Sequence, residues 1–243
     1  MTRLREEAGM TLMEVLLACT VGLIVLGAMF AMLDTSVRLN TGVMSKTDAM
    51  QRGRMAMDAI TQELRSQVCL NNLNNPAVKQ GAKPDSVTFY ADFSEGDGAT
   101  APDRRTLSLD PATGDIRTAI YEATTLEPGP NDFVEAPSSV RLQLENAAPQ
   151  VDPADPTKKV PFLRYFAYQT VGDPPHPEPT LELVPHPTDG LNTAQAARVA
   201  RIQVAFVSRP TGATDSSKGV NLSDQIVARH SDPNLTVPDP KCV

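Results

Sequence analysis

Residues 15–33 read VLLACTVGLIVLGAMFAML, an uninterrupted apolar segment without a charged side chain. A helix of this length crosses the roughly 30 Å hydrocarbon core of a bilayer. Arg3 and Arg5 precede the segment, and basic residues favour the cytoplasmic side of a membrane. The sequence therefore predicts a transmembrane helix over residues 10–34, with its N-terminus in the cytoplasm.

A secretory signal peptide is the competing interpretation of this segment. The apolar stretch is longer than the core of a usual signal peptide, and no site with two small residues closes it. Cleavage after Ala31 would place the bulky Met29 where such a site needs a small side chain. A retained membrane anchor is therefore favoured.

The helical pattern continues beyond the apolar segment. Apolar residues recur at a spacing of three or four, charged residues fall largely between them, and no proline occurs before Pro76. We expect residues 35–70 to continue the helix as an amphipathic segment packed against a sheet. The apolar positions are Leu39, Val43, Met50, Gly53, Met57, Ile60 and Leu64, and the charged ones are Lys46, Arg52, Arg54, Asp58 and Glu63.

Residues 71–243 have the pattern of a β-rich head with long loops. Alternating segments rich in β-formers predict strands, and 110–115 (DPATGD) predicts the turn of a hairpin. We therefore expect an α+β fold, in which the long N-terminal helix packs on one antiparallel sheet. The predicted strands are 86–93, 105–109, 116–121, 139–144, 162–168, 199–207 and 225–228, with proline-rich loops over 149–161 and 173–187.

Glu14 opens the apolar segment, where a carboxylate near the membrane is costly and suggests a function. A hydrated position at the membrane interface is the simpler explanation. However, residues 9–14 read GMTLME, directly before the spanning helix. This stretch resembles the cleavage and methylation motif of type IV pilins and type II secretion pseudopilins, in which a short polar leader ends in Gly and a hydrophobic residue, Thr, Leu, any residue and Glu follow.

Three features depart from the usual pattern of that family. Met10 stands where Phe is usual, and Glu6 and Glu7 make the end of the leader acidic. Ala31 stands where many major pilins carry a helix-breaking proline. The chain thus looks more like a minor pilin or pseudopilin, and residues 54–69 resemble the pseudopilin J and PilW-like minor pilin group.

The resemblance implies a specific role for each residue of the motif. Residues 1–9 would be a leader peptide, removed by a prepilin peptidase between Gly9 and Met10, with methylation of the new Met10 amine. Glu14 would face the positive N-terminus of a neighbouring subunit, and Thr11 and Leu12 would belong to the same assembly motif.

The same resemblance implies partners and a location. The partners would be the prepilin peptidase, other pilin or pseudopilin subunits, an inner-membrane assembly platform and membrane lipid. The protein would begin as a single-pass inner-membrane protein and end in a pilus or pseudopilus on the extracytoplasmic side, where it could prime or cap assembly. Secretion, adhesion, DNA uptake and motility all use such subunits, and the sequence does not choose among them.

The sequence offers little for catalysis, metal binding or nucleic-acid binding. The net charge of −7 disfavours a nucleic-acid partner, because nothing offsets phosphate repulsion. His176, His186 and His230 lack the spacing of a zinc site. Catalytic and nucleotide-binding motifs do not occur in the sequence, so we expect neither an enzyme nor a cofactor.

The cysteines allow one disulfide in an exported head. Cys19 lies inside the apolar segment and behaves as a small hydrophobe, whereas Cys69 and Cys242 lie outside it. A Cys69–Cys242 bridge would constrain the unfolded chain by about 4–5 kcal/mol in the entropy model. Two free thiols are the alternative.

Two other classes of protein compete with the filament subunit. One is a signal-anchored envelope protein whose β-rich head binds a ligand or another protein; it would need neither cleavage at Gly9 nor Glu14. The other is a membrane-tethered hydrolase, for which the sequence shows no candidate nucleophile and base.

Overall fold

The computed structural model describes residues 11–70, 78–93, 101–129, 131–171, 178–184, 189–213 and 219–227. The long N-terminal helix α1 is Leu12–Arg65. The chain divides into two compact units, with the boundary between Ser45 and Lys46. The first unit holds the apolar part of α1, and the second holds the rest of α1 and every described strand.

The described strands of the head are antiparallel and form three sheets. Sheet 1 has the order β1-β2-β3-β4, sheet 2 has the order β11-β10-β8-β9 with β5 also paired to β10, and β6 pairs with β7. A short helix, α2 (Thr193–Ala197), precedes β10. The strands are β1 Ser86–Ala91, β2 Asp103–Leu109, β3 Ile116–Tyr121, β4 Ser139–Leu144, β5 Ala147–Ala148, β6 Gln150–Val151, β7 Lys159–Val160, β8 Leu163–Val171, β9 Glu178–Leu183, β10 Val199–Ser208 and β11 Val220–Val227.

The α+β class with antiparallel strands is confirmed, but the expectation of one sheet is wrong. The chain leaves sheet 1 after β4, turns at Asn146 with a φ of 61°, and joins sheet 2 through β5. The predicted loop 149–161 contains β6 and β7, and the predicted loop 173–187 contains β9. The last described strand begins at Val220 rather than at residue 225.

Helix α1 ends at Arg65, before the predicted end at residue 70. Gln67 forms a β-bridge with Ala91, and the Val68 amide donates to the Tyr90 carbonyl at 2.9 Å. The chain after Arg65 therefore follows strand β1 in an extended conformation, and this pairing takes the backbone groups that a longer helix would use.

The second half of α1 packs into the core between the two larger sheets. Ile60 and Leu64 are buried there with side chains of sheet 1 and sheet 2, among them Val87 and Phe206. Burying an apolar side chain of this size contributes about 1.5–3 kcal/mol. The prediction that this part of the helix packs on a sheet is confirmed, and it applies to both sheets.

The helix approaches sheet 2 closely at Gly53. A Cβ atom added there would lie 2.7 Å from Cβ of Ser208 and still closer to the Leu222 side chain. The Ser208 hydroxyl donates to the Ala49 carbonyl at 2.7 Å, and the Thr61 hydroxyl donates to the Asp224 carboxylate at 3.1 Å. Because Gly53 has no side chain, α1 can lie this close to sheet 2, and the two hydrogen bonds stabilise the contact.

The helix meets sheet 1 through a buried polar cluster around Glu63. Its carboxylate accepts hydrogen bonds from the Thr118 hydroxyl at 2.9 Å and the Gln143 amide at 3.0 Å, and it lies 3.6 Å from an Arg105 nitrogen. Glu63 is only 6% exposed and Arg105 only 4%. The assignment of Glu63 to the charged positions between the apolar ones is therefore corrected: it belongs to the packed face.

The segment from Gly81 to Ser86 connects the two larger sheets. The Tyr165 hydroxyl of sheet 2 lies 3.1 Å from the Lys83 carbonyl oxygen, and Leu163 N–H donates to the Pro84 carbonyl at 2.8 Å. Burial, with a smaller effect from the Asp85 carboxylate, raises the pKa of Tyr165 well above its usual value. This tyrosine is therefore neutral in the folded head.

Candidate assembly segment of the N-terminal helix

The first described residues form the start of α1. Thr11 precedes the helix, and its side-chain oxygen accepts a hydrogen bond from the Glu14 amide at 3.4 Å. Threonine followed three residues later by glutamate is the pattern of a capping box, in which both side chains satisfy free amides of the first turn. The Thr11 side chain accepts one of the two hydrogen bonds of a capping box, the one from the Glu14 amide.

Glu14 also benefits from its position in the first helical turn. The helix dipole stabilises a negative charge there by about 0.3–1 kcal/mol at an exposed site. Within the residues that the structure describes, the Glu14 carboxylate accepts no hydrogen bond and forms no ion pair. The local structure thus tolerates this charge at the start of α1.

The apolar part of α1 exposes its large side chains on every side. One helix in the described residues is long and apolar enough to cross a membrane, although a signal sequence near an N-terminus meets the same criteria. The uncharged stretch between Glu14 and Asp34 extends about 30 Å at 1.5 Å per residue, close to the thickness of a hydrocarbon core. The exposed large apolar residues are Leu12, Met13, Val15, Leu16, Leu17, Val21, Leu23, Ile24, Val25, Leu26, Met29, Phe30, Met32 and Leu33.

The hydroxyl group within this stretch is compatible with an apolar environment. The Thr20 side chain donates to the Leu17 carbonyl at 2.8 Å, so its hydrogen is satisfied inside the helix. Thr35, one residue past Asp34, donates to Ala31 in the same way at 2.9 Å. Lipid offers no such partner, and these internal bonds remove the cost of a free hydroxyl.

The exposed apolar surface continues beyond the uncharged stretch. Asp34 and Arg38 form an ion pair of 2.9 Å, and Leu39 and Val43 after it are 67% and 63% exposed. These two residues are therefore not among the buried residues of α1. The first buried residue of α1 is Ala49, where the contact with sheet 2 begins.

Several predicted residues cannot be placed by the structure. Gly9, Met10 and Cys242 lie outside the described residues, as do His176, His186 and His230. Cys69 is disulfide-bonded and Cys19 is a free, exposed thiol. The pairing of Cys69 with Cys242 remains a prediction.

The described head contains two larger cavities. One, of about 690 Å³, lies where α1 ends, and its lining includes Asp58, Arg65 and Asp224. The other, of about 500 Å³, includes Lys83, Lys159 and Phe162 in its walls. Among the described residues, no group of three or more His, Cys, Asp or Glu side chains could hold a metal ion.

The chain matches no protein-family model, and it matches no curated protein. The exposed helix and its first turn are thus the features from which a function can be argued. A second exposed apolar surface, which the sequence did not predict, lies on strand β4, where Val140 and Leu142 are exposed. The alternation of side chains predicts this strand, but it does not indicate whether another element covers Val140 and Leu142.

Proposed function

We propose that the chain is a minor pilin or pseudopilin, a subunit that joins a filament through its N-terminal helix and acts by assembly rather than catalysis. One observation carries the proposal: directly after the Thr11-Leu12-Met13-Glu14 sequence, α1 continues as an apolar stretch without a charge, and its large side chains are exposed. Such a surface is stable in lipid or against other apolar helices, and it is unfavourable in water.

Glu14 gives this otherwise uniform surface a fixed register. After cleavage, the Met10 amine of a neighbouring subunit would carry the positive charge that the Glu14 carboxylate attracts. Two such charges 4 Å apart attract by about 4 kcal/mol at an effective dielectric constant of 20. A shifted helix would leave a buried charge without a partner, which is strongly destabilising. The pair would therefore select one axial position among apolar helices that could otherwise slide.

Mass spectrometry of the intact N-terminus, on protein from its native cell envelope, tests the proposal. We expect a chain that begins at a methylated Met10. A Gly9→Leu variant should accumulate as the uncleaved precursor, because the peptidase must approach the backbone closely. An intact N-terminus, or a cut after residue 33, would refute the filament mechanism.

The signal-anchored envelope protein remains the second candidate, because Thr11 and Glu14 also fit a helix start with a purely local role. Glu14→Gln separates the two. In a filament subunit it should leave membrane insertion intact and reduce incorporation into filaments by about tenfold or more, since the attraction of about 4 kcal/mol is lost. Asp34→Asn, which neutralises an exposed carboxylate at the other end of the uncharged stretch and outside the motif, is the matched control. Equal incorporation of Glu14→Gln and wild type would favour the local role.

A further inference from the structure

A disulfide-bonded cysteine directly follows the wall of the cavity of about 690 Å³ at the end of α1. Ser66, Gln67 and Val68 line this cavity, and Cys69 is the next residue of the chain. Gln67 and Val68 pair with strand β1, so this part of the wall is fixed to sheet 1. The Cα atoms of a disulfide are about 4.4–6.8 Å apart. The residue that is bonded to Cys69 therefore lies at the edge of the cavity.

Cys242 is the cysteine that is left to form this bond within the chain. The sequence contains three cysteines, and Cys19 is a free thiol. Strand β11 ends at Val227, three residues after Asp224, which lines the same cavity. The segment 228–243, which lies outside the described residues, thus starts close to the cavity and is brought back to it by Cys242.

The lining of the cavity is polar and acidic. Asp58, Asp92 and Asp224 contribute three carboxylates, whereas Arg65 contributes one positive charge. An apolar occupant would take these groups out of water without giving them a partner, which is costly. The excess of carboxylates instead favours an occupant with a positive charge.

Lys241 brings such a charge to the edge of the cavity. It precedes Cys242 directly, and consecutive Cα atoms are about 3.8 Å apart. With the disulfide formed, the Cα atom of Lys241 lies within about 11 Å of the Cα atom of Cys69. A lysine side chain reaches about 6 Å further and can pack its methylene groups on apolar surface while its ammonium group meets a carboxylate.

We infer that residues 228–243 occupy the cavity at the end of α1, where the disulfide of Cys69 holds them. In this position the Lys241 ammonium forms an ion pair with the carboxylate of Asp92 or Asp224. The cavity is then a docking site for a segment of the same chain. The inference does not rest on the proposed filament function, because it requires neither cleavage of a leader nor a neighbouring subunit.

Zero-length cross-linking tests the position of Lys241. A carbodiimide joins a lysine amine to a carboxylate where the two groups are in contact. The reagent is applied to the full-length, oxidised protein in detergent micelles, and the products are mapped by mass spectrometry. We expect Lys241 to be joined to Asp92 or Asp224. Lys83 is the matched control: it is exposed at the other end of the six-residue strand β1, about 20 Å from Asp92, and should be joined to neither.

A double variant, Cys69→Ser with Cys242→Ser, tests the role of the disulfide. Without this bond the segment is tethered only at Val227, so the yield of the Lys241 cross-link should fall at least about fivefold. An equal yield in the double variant would overturn the inference, as would the absence of any link from Lys241 to a carboxylate of the cavity in the wild type.

A mixture of isotope-labelled and unlabelled protein distinguishes a link within one chain from a link between two chains. We expect both the Lys241 cross-link and the disulfide of Cys69 to join residues of the same isotopic form. A link or a disulfide that joins labelled to unlabelled chains would assign the cavity to a second copy and overturn the inference. A cleaved or an uncleaved N-terminus leaves these expectations unchanged, so the result is independent of the test of the filament function.

Discussion

Replacing Glu63 by alanine should lower the free energy of unfolding of the head by more than replacing an exposed residue of α1 would. The substitution removes the acceptor for the Thr118 hydroxyl and the Gln143 amide, and hydrogen bonds to a charged group are worth about 1.5–3 kcal/mol each. It also leaves Arg105 buried, with Asp103 at 3.1 Å as its remaining ion-pair partner. Breaking a buried pair typically costs about 3–5 kcal/mol.

The environment of Arg105 decides where the loss of unfolding free energy falls between about 3 and 5 kcal/mol. Asp103 is partly exposed and the Arg105 guanidinium lies 4.0 Å from the centre of the Phe93 ring, so some compensation remains. On the other hand, Arg105 Nε is buried and has no hydrogen-bond partner among the described residues. We therefore expect Glu63→Ala to lower the free energy of unfolding by about 3–4 kcal/mol. Glu63→Gln keeps the volume and one acceptor oxygen and should cost about half as much.

Urea unfolding of the full-length protein in detergent micelles, without reductant, measures the effect. The chain has no tryptophan, and its four tyrosines all lie in the head, so tyrosine fluorescence reports the unfolding of that unit. Asp58→Ala is the matched control on the same helix, because Asp58 is exposed and should change stability by less than about 0.5 kcal/mol. A loss below about 1 kcal/mol for Glu63→Ala would refute the view that this cluster fixes α1 on sheet 1.

Three further predictions concern the head and its cross-link. Gly53→Ala should lower the free energy of unfolding, since overpacking against β10 and β11 costs about 1–3 kcal/mol, whereas the gain in helix propensity is about 1 kcal/mol. Gly42→Ala is the control, because Gly42 has open space around it and the substitution should not lower the stability. Equal urea midpoints for the two variants would contradict the close contact at Gly53. Because the folded head raises the pKa of Tyr165, stability should be fully present below about pH 10 and fall as the pH rises further. Tyr165→Phe should weaken this alkaline loss in pH-dependent unfolding, and an unchanged pH profile would exclude Tyr165 as a cause. Non-reducing peptide mapping should find Cys69 joined to Cys242, and a mixed disulfide with another molecule would disprove this pairing.

Local sequence patterns predicted the regular parts of the fold well. The bounds of β4 and β3 agree with the sequence analysis, and β10 extends only one residue further than predicted. These strands combine alternating side chains with recognisable turns, so short-range information is sufficient. The apolar start of α1 was equally clear, because a long uncharged segment has few alternatives.

The missed features depend on partners that are distant in the sequence. Strand β9 contains Pro179, which argues against a strand, but β9 is the last strand of its sheet and an edge position tolerates proline. Glu63 reads as a solvent-facing charge until Arg105 and Thr118 are placed beside it. The end of α1 depends on Gln67 pairing with Ala91. None of these contacts can be inferred from the pattern of a single segment.

The hydrogen bonds that hold α1 on sheet 2 have a consequence for the order of synthesis. Ser208 meets Ala49 across a sequence separation of 159 residues, and Thr61 meets Asp224 across 163. At a synthesis rate of about 5–20 residues per second, the packed face of the helix waits on the order of ten seconds or more for these strands. During that interval Ile60 and Leu64 are accessible to chaperones and proteases. Chains truncated before β10 should therefore be degraded faster than the full-length chain, so that only completed heads become available to later steps.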